Sequence, residues 1–276
     1  MNRILLPTDF SNNSKNAIEY ALQFFSGQPC SFYFLNIQKT SEYIMDDIMS
    51  GTPGSSVYEV ILKDNEEKLK KMVNVFQEKY AKEEYEFLPF VDYDILSDSI
   101  KQMIESKNID LIVMGTNGAT GASEVLFGSN TLHVIRHVDC PVLAIPEGST
   151  FKKIQSVLFT VSSCKDIKLE GIDPLEQIIE AYHPQLHVLN IMANKDAVSD
   201  DCTPILKDVF SDINYESHTL RGIPTPLAID AFVQLINVDM HALFAEKESL
   251  LDRFIFGSKT AKISYRSNVP LLFLRK

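Results

Sequence analysis

Short apolar runs alternate along this chain with stretches of helical periodicity. Ile4–Pro7, Ser31–Ile37, Glu86–Val91, Leu111–Met114 and Val142–Ile145 are brief, continuous and rich in β-branched or aromatic residues. Between most of them lie helical patterns. Ala17, Tyr20, Ala21 and Phe24 make one set, Leu69, Met72, Val73 and Phe76 a second, and Ile100, Met103 and Ile104 a third. That spacing places each set on one face of a helix, while unbroken apolar runs mark strands covered on both sides. Strands alternating with helices predict parallel pairing, because each parallel connection needs a crossover.

The order then recurs. Val157-Leu158-Phe159 resembles Ile4-Leu5-Leu6, and Leu189-Asn190-Ile191 repeats Leu35-Asn36-Ile37. Phe256-Gly257-Ser258-Lys259-Thr260 matches Phe127-Gly128-Ser129-Asn130-Thr131 at an offset of 129, as Val269-Pro270-Leu271-Leu272 matches Cys140-Pro141-Val142-Leu143. The first two strands are offset by 153 to 154, so the second half is about 24 residues shorter before its third strand. The loss is expected opposite Thr40–Val57, which holds Gly51, Pro53, Gly54 and serines. The boundary falls near Glu147–Lys152, giving units 1–148 and 149–276, two domains being what 276 residues suggest. Duplication predicts two similar units packed face to face as an intramolecular pseudo-dimer. Their expected contact is the fifth strand of each, Pro141–Ile145 and Pro270–Leu274, since an apolar sheet edge is best paired.

Charge narrows the partners. The net charge is −11, and residues 1–150 carry 12 Lys+Arg against 21 Asp+Glu. An acidic surface without a basic stripe repels nucleic acid and anionic lipid, so neither is expected as a partner. Cys30, Cys140, Cys164 and Cys202 show no C-x-x-C pairing, which argues for reduced thiols. The first residues are too weakly apolar for a signal peptide and no later run approaches 18 apolar residues, so a cytoplasmic location is expected.

Met114 to Asn130, MGTNGATGASEVLFGSN, holds the candidate chemistry. It has neither a Walker A lysine nor the dinucleotide G-x-G-x-x-G spacing. In a doubly wound sheet, ligands bind beyond the carboxyl ends of strands where the winding reverses. Gly115 permits a sharp turn, Gly118 removes a side chain from a ligand's approach, and Gly128-Ser129 opens a helix. A helix start offers unpaired N–H groups and partial positive charge, suited to phosphate. Ser129 and Thr131 add hydroxyls. Without a basic side chain, an anion would be held by amides, hydroxyls and a divalent cation.

Gly115-x2-Gly118-x9-Gly128-Ser129, followed by a helix and CPVLAIP, resembles the nucleotide-binding signature of the universal stress protein family. The start ILLPTDFS is similar to that family's first strand and acidic turn. The similarity covers both halves, with the motif complete only in the first. It implies a tandem α/β protein of two open five-stranded parallel sheets flanked by helices, strand order 3-2-1-4-5, of the adenine nucleotide alpha hydrolase-like class. It also implies binding of ATP, or of ADP or AMP, with or without Mg2+, in a stress-response regulatory protein that signals to an unidentified protein partner. Carried over by residue, Pro7, Thr8 and Asp9 lie by the adenosine, with Asp9 nearest base or ribose, and Ile37 walls the adenine. Gly115, after Met114, approaches the ribose. Gly118, Gly128, Ser129 and Thr131 hold phosphates, and Asn130 contributes its backbone N–H.

The second half departs at the same offsets: Pro7, Asp9, Gly115 and Gly118 become Thr160, Ser162, Phe244 and Lys247. Phe244 is expected to block the ribose, leaving one nucleotide per chain. The alternatives are a nucleotide-dependent enzyme with slow hydrolysis or phosphoryl transfer, using Asp9 or Glu124 as base, and a structural tandem with a vestigial site. Asp9 also reads as a turn with Ser11 or as a helix cap. His133 and His137, four apart on a helix, lack further ligands for a metal. His183 and His187 read as surface histidines. Ser162-Ser163-Cys164 lacks the G-x-S-x-G setting of a nucleophile.

Overall fold

A computed structural model of the chain describes residues 1–38, 57–93, 95–116, 127–161, 167, 171–192, 202–211, 213–245 and 269–275. The first half holds β1 (Arg3–Pro7), α1 (Asn12–Phe24), β2 (Cys30–Ile37), α2 (Val57–Lys79), β3 (Tyr85–Asp92), α3 (Leu96–Lys107), β4 (Leu111–Gly115), α4 (Ser129–His137) and β5 (Val142–Ile145). The second holds β6 (Ser156–Val161), α5 (Asp173–Tyr182), β7 (Gln185–Met192), α6 (Thr203–Val209), β8 (Tyr215–Arg221), α7 (Thr225–Ile236), β9 (Met240–Phe244) and β10 (Leu271–Leu274). Each first-half strand lies within one residue of its apolar run.

All ten strands form one sheet, in the order β3-β2-β1-β4-β5-β10-β9-β6-β7-β8. The first five stand in the order 3-2-1-4-5, and the second five repeat it outward from the centre. Pairing within each half is parallel. At the seam Leu271, Leu272 and Phe273 of β10 pair antiparallel with Ala144, Leu143 and Val142 of β5. The halves therefore meet edge to edge and not face to face. Joining the two apolar strands in one ladder satisfies backbone groups that face-to-face packing would leave exposed.

Alternate strand residues feed two cores. Ile4, Leu6, Phe32 and Phe34 point to the face covered by α1 and α2, where Ala17, Phe24, Leu69 and Phe76 meet them. Leu5, Tyr33 and Leu35 point to the opposite face, against Ile100 and Met103 of α3 and Val134 and Ile135 of α4. Helices α5 and α6 share the first face and α7 the second. Central strands buried on both sides explain the unbroken apolar runs. Edge strand β3 accommodates Pro89, which a central strand would exclude.

The length difference between the halves has a structural location. Helix α2 has 23 residues and α6 has 7, yet each ends five residues before its following strand. Helix α6 is thus the shorter by 16 residues (23 − 7), so part of the length difference lies in the helix itself. Expectation placed the loss wholly before the helix, because the Gly- and Pro-containing stretch is the more obvious insertion. Cys202 is disulfide-bonded, contrary to the expectation of reduced thiols. Sequence spacing does not report which thiols meet in space. Cys30 and Cys140 are free and buried, and burial pushes their pKa values up to about 11 and about 12.

Candidate functional site

Strands β2 and β4 flank β1, so the winding reverses between β1 and β4. Pro7 ends β1, Gly115 ends β4 and Ile37 ends β2, all at the same rim of the sheet. Pro7 and Met114 are buried, and Ile37 is half-buried. The chain leaves β1 through a tightly bonded turn. The buried Thr8 donates its N–H to Leu35 O at 2.8 Å, and its hydroxyl shares a hydrogen bond with Ser14 Oγ at 3.0 Å. That hydroxyl also accepts from Phe10 N–H at 3.1 Å. Phe10 sits at φ 63, in the left-handed region, which the turn supports with this bond.

Asp9 is exposed, and its Oδ1 accepts from Ser11 N–H at 3.1 Å. Partial burial raises its pKa, but hydrogen bonds from Ser11 and Ser14 outweigh this, and the carboxyl lies below its ordinary value. The cap of α1 is Ser11, whose hydroxyl accepts from Ser14 N–H at 3.1 Å. The turn reading of Asp9 therefore describes its side chain, and the cap falls two residues later.

Helix α4 begins at the same rim. Gly128 is its N-cap at φ −59, ψ 151, ordinary extended backbone, and donates its N–H to Thr116 O at 2.6 Å. The first helical acceptor bond is Leu132 N–H to Gly128 O, so the N–H groups of Ser129, Asn130 and Thr131 have no intrahelical partner. Ser129 and Asn130 are exposed. Thr131 is buried, and its hydroxyl donates to Gly115 O at 2.9 Å, tying α4 to the end of β4. Between them Thr116 is 1% exposed, and its hydroxyl has no hydrogen-bond partner among the described residues. Gly118 and Glu124 lie outside the described residues.

Several supporting residues escaped sequence reasoning. Asn36 in β2 donates to Thr8 O at 2.7 Å and accepts from Asn65 of α2 at 2.9 Å, and Asn65 also bonds Gln38. All three amides are buried. They hold the β1 turn from behind. Asn13 of α1 packs directly on Gly115. The available signal was Asn36 itself, a polar residue inside an apolar strand and repeated as Asn190.

Among the described residues of the second half, the repeated asparagine is held differently. Asn190 Nδ2 reaches Cys202 Sγ at 3.7 Å, and its Oδ1 has no partner among the described residues. Helix α6 begins at Thr203, and the positions that would answer to Asn65 lie outside the described residues. Phe244, in Gly115's place, is 2% exposed and packs edge-on against Phe159 at 5.9 Å. Thr160, in Pro7's place, shares a hydrogen bond with the buried His241 at 2.9 Å. Ser162, Lys247, Gly257 and Ser258, like the Ser162-Ser163-Cys164 stretch, lie outside the described residues. His133 and His137 stack at 4.2 Å, with His133 Nε2 3.2 Å from Ser97 Oγ. His183 is exposed, but His187 is buried on β7, because that strand is covered where a surface position was expected.

The comparisons agree with this architecture. Among the described residues no helix is long and apolar enough to cross a membrane. The chain is 31% identical over 147 residues to universal stress protein MJ0531 of Methanocaldococcus jannaschii, covering 52% of this chain and 81% of that protein. It is 29% identical over 151 residues to universal stress protein MJ0577 of the same organism, covering 52% and 93%. The crystal structure of a universal stress protein from Archaeoglobus fulgidus superimposes with a TM-score of 0.69 at 20% identity, over 100% of this chain and 96% of that one. Residues 1–146, more than half the chain, match the model of the universal stress protein family, and the protein belongs to that family.

Proposed function

We propose that the first half, ending near Glu147–Lys152, binds an adenine nucleotide at the β1–β4 rim and that occupancy is read by a protein partner in a stress response. The observation that supports it best is the start of α4, where the N–H groups of Ser129, Asn130 and Thr131 stand outside the helical ladder, bonded through Gly128 to Thr116, whose buried hydroxyl has no partner among the described residues. Helix amides and a hydroxyl suit phosphate oxygens, with Mg2+ supplying positive charge when bound. Pro7, the Asp9 turn and Ile37 stand where ribose and base would extend. Thr8 and Thr131 take positioning roles, since both hydroxyls are bonded within the chain. Asp9, bonded to Ser11 and held below its ordinary pKa, is a weak general base, which favours a binding function over rapid turnover.

Titration of Mg·ATP into the full chain and its Gly128→Asp variant tests this reading. Aspartate is a favoured N-cap and the Gly128 backbone is one it adopts readily, so the fold should keep or gain stability. Its carboxylate beside the phosphates should weaken binding more than about tenfold, since like charges about 4 Å apart repel by several kcal/mol at a protein surface. Absence of binding by the wild type, or equal affinity in the folded variant, overturns the assignment.

A further inference from the structure

The outer strands of the second half carry a cluster unrelated to the nucleotide rim. His187 of β7 lies opposite Glu216 of β8 in the sheet register, and Glu216 and His218 are two apart on β8. Residues two apart on a strand point to the same face, so the three side chains converge over adjoining strands. His187 Nδ1 lies 3.3 Å from His218 Nε2. One carboxylate oxygen of Glu216 lies 3.6 Å from His187 Nδ1 and 3.7 Å from His218 Nε2. Phe232 of α7 underlies both imidazoles, with ring centroids 6.0 Å from His187 and 4.9 Å from His218.

We propose that His187, Glu216 and His218 form a binding site for a divalent transition-metal ion, zinc by its donor set, with a fourth position open to water. Two imidazoles and one carboxylate are a recurrent zinc ligand set. Metal–ligand bonds of about 2.0–2.1 Å meeting at the tetrahedral angle separate donor atoms by about 3.3–3.4 Å. The imidazole nitrogens already stand at that separation. The carboxylate needs to move only a few tenths of an ångström, and its side chain is 59% exposed and able to do so. With the proton of each neutral ring on its other nitrogen, both facing nitrogens offer lone pairs.

Burial supports a built site. His187 is 6% exposed, so one ligand is fixed within the sheet, while the half-exposed His218 and exposed Glu216 leave a route for the ion. In sequence, the corresponding positions of β2 and β3 are Tyr33, Glu86 and Leu88, with Tyr33 in the core and Leu88 packed against it. The carboxylate therefore recurs in both halves, and the two imidazoles that complete the donor set are particular to the second.

Zinc titration of the tag-free, chelator-treated full chain tests the proposal, with cobalt substitution to report coordination by absorption. One saturable site per chain is expected, with a tetrahedral cobalt spectrum and a zinc-dependent rise in melting temperature. His218→Ala and Glu216→Gln, both on an edge strand, should each weaken zinc binding more than about tenfold while retaining the wild-type circular dichroism. His133→Ala/His137→Ala should leave it unchanged, and so should saturating Mg·ATP. No saturable zinc binding, or equal binding by folded His218→Ala and Glu216→Gln, overturns the site. Loss only in the His133/His137 variant overturns it equally, by moving the ion elsewhere.

Discussion

A methyl group added at Gly115 would lie 2.5 Å from Asn13 Nδ2 and 2.8 Å from its Cγ. Asn13 is buried in the first turn of α1 and has little room to retreat. Gly115→Ala should therefore destabilise the protein by about 1–3 kcal/mol, the usual cost of overpacking. Asn13→Ala should be less harmful in that background than in the wild type. A double-mutant cycle by urea unfolding measures this coupling, and additive effects would show that the contact does not constrain the glycine. His241 supplies a second residue-level prediction. It is fully buried, and burial lowers its pKa to about 3. Unfolding restores an ordinary value near 6.5, so below that pH the unfolded state binds the proton and the folded state does not. Stability is lost as pH falls from about 6.5 toward 3 and is insensitive to this group above that window. Between pH 7 and pH 5, wild type should lose about 2 kcal/mol more than His241→Ile, at roughly 1.4 kcal/mol per unit. Equal losses would refute the assignment. The glycines of the rim were legible because their spacing is local. Asn13 was not, since its contact joins residues about a hundred positions apart, and no periodicity marks it.

Two helices of the first half are finished by residues of the second. Arg275, after β10, donates to Ile135 O near the end of α4 and, at 3.2 Å, to Ala245 O. Tyr182, the last residue of α5, donates to Phe24 O at the end of α1. Helix ends leave carbonyls without intrahelical donors, and a cation is favourable beside them. Arg275→Met should cost about 2 kcal/mol by stranding two carbonyls, and Tyr182→Phe about 1 kcal/mol. Urea denaturation of both variants checks these values; a neutral Arg275→Met would mean that solvent replaces its bonds. Most elements were readable from pattern, since β2 and β4 are continuous apolar runs and α1 has a regular buried face. Strand β8 was harder. Tyr215-Glu216-Ser217-His218-Thr219-Leu220-Arg221 mixes polar and apolar residues because it forms the outer edge. His187 misled for the complementary reason, since a histidine gives no hint of burial until its strand is placed.

At the scale of the molecule, the seam makes the halves interdependent. Val142–Ile145 is fully buried, and a chain ending near Gly148 would expose its unpaired edge. A fragment of residues 1–148 should therefore self-associate through that strand, most simply as a dimer, as analytical ultracentrifugation would show. A stable monomer at tens of micromolar would mean that the edge tolerates water. The intact chain should take up one nucleotide, because Phe244 occupies core space where Gly115 stands in the first half. Calorimetry giving two equivalent sites would contradict this. The repeat was legible from its recurring short segments of three to five residues, but its geometry was not. Apolarity identified the strands that would meet, whereas edge pairing over face packing depends on backbone groups common to every sequence.

That one antiparallel junction among parallel neighbours also sets the polarity of the whole chain. β1 and β4 terminate at one rim, whereas β6 and β9 terminate at the other. The duplicated rims consequently stand back to back. Had the copies been fused in the same direction, molecules approaching the two rims would have shared a single border. Here the two rims open on opposite borders, so that a molecule approaching one of them need not obstruct a molecule approaching the other.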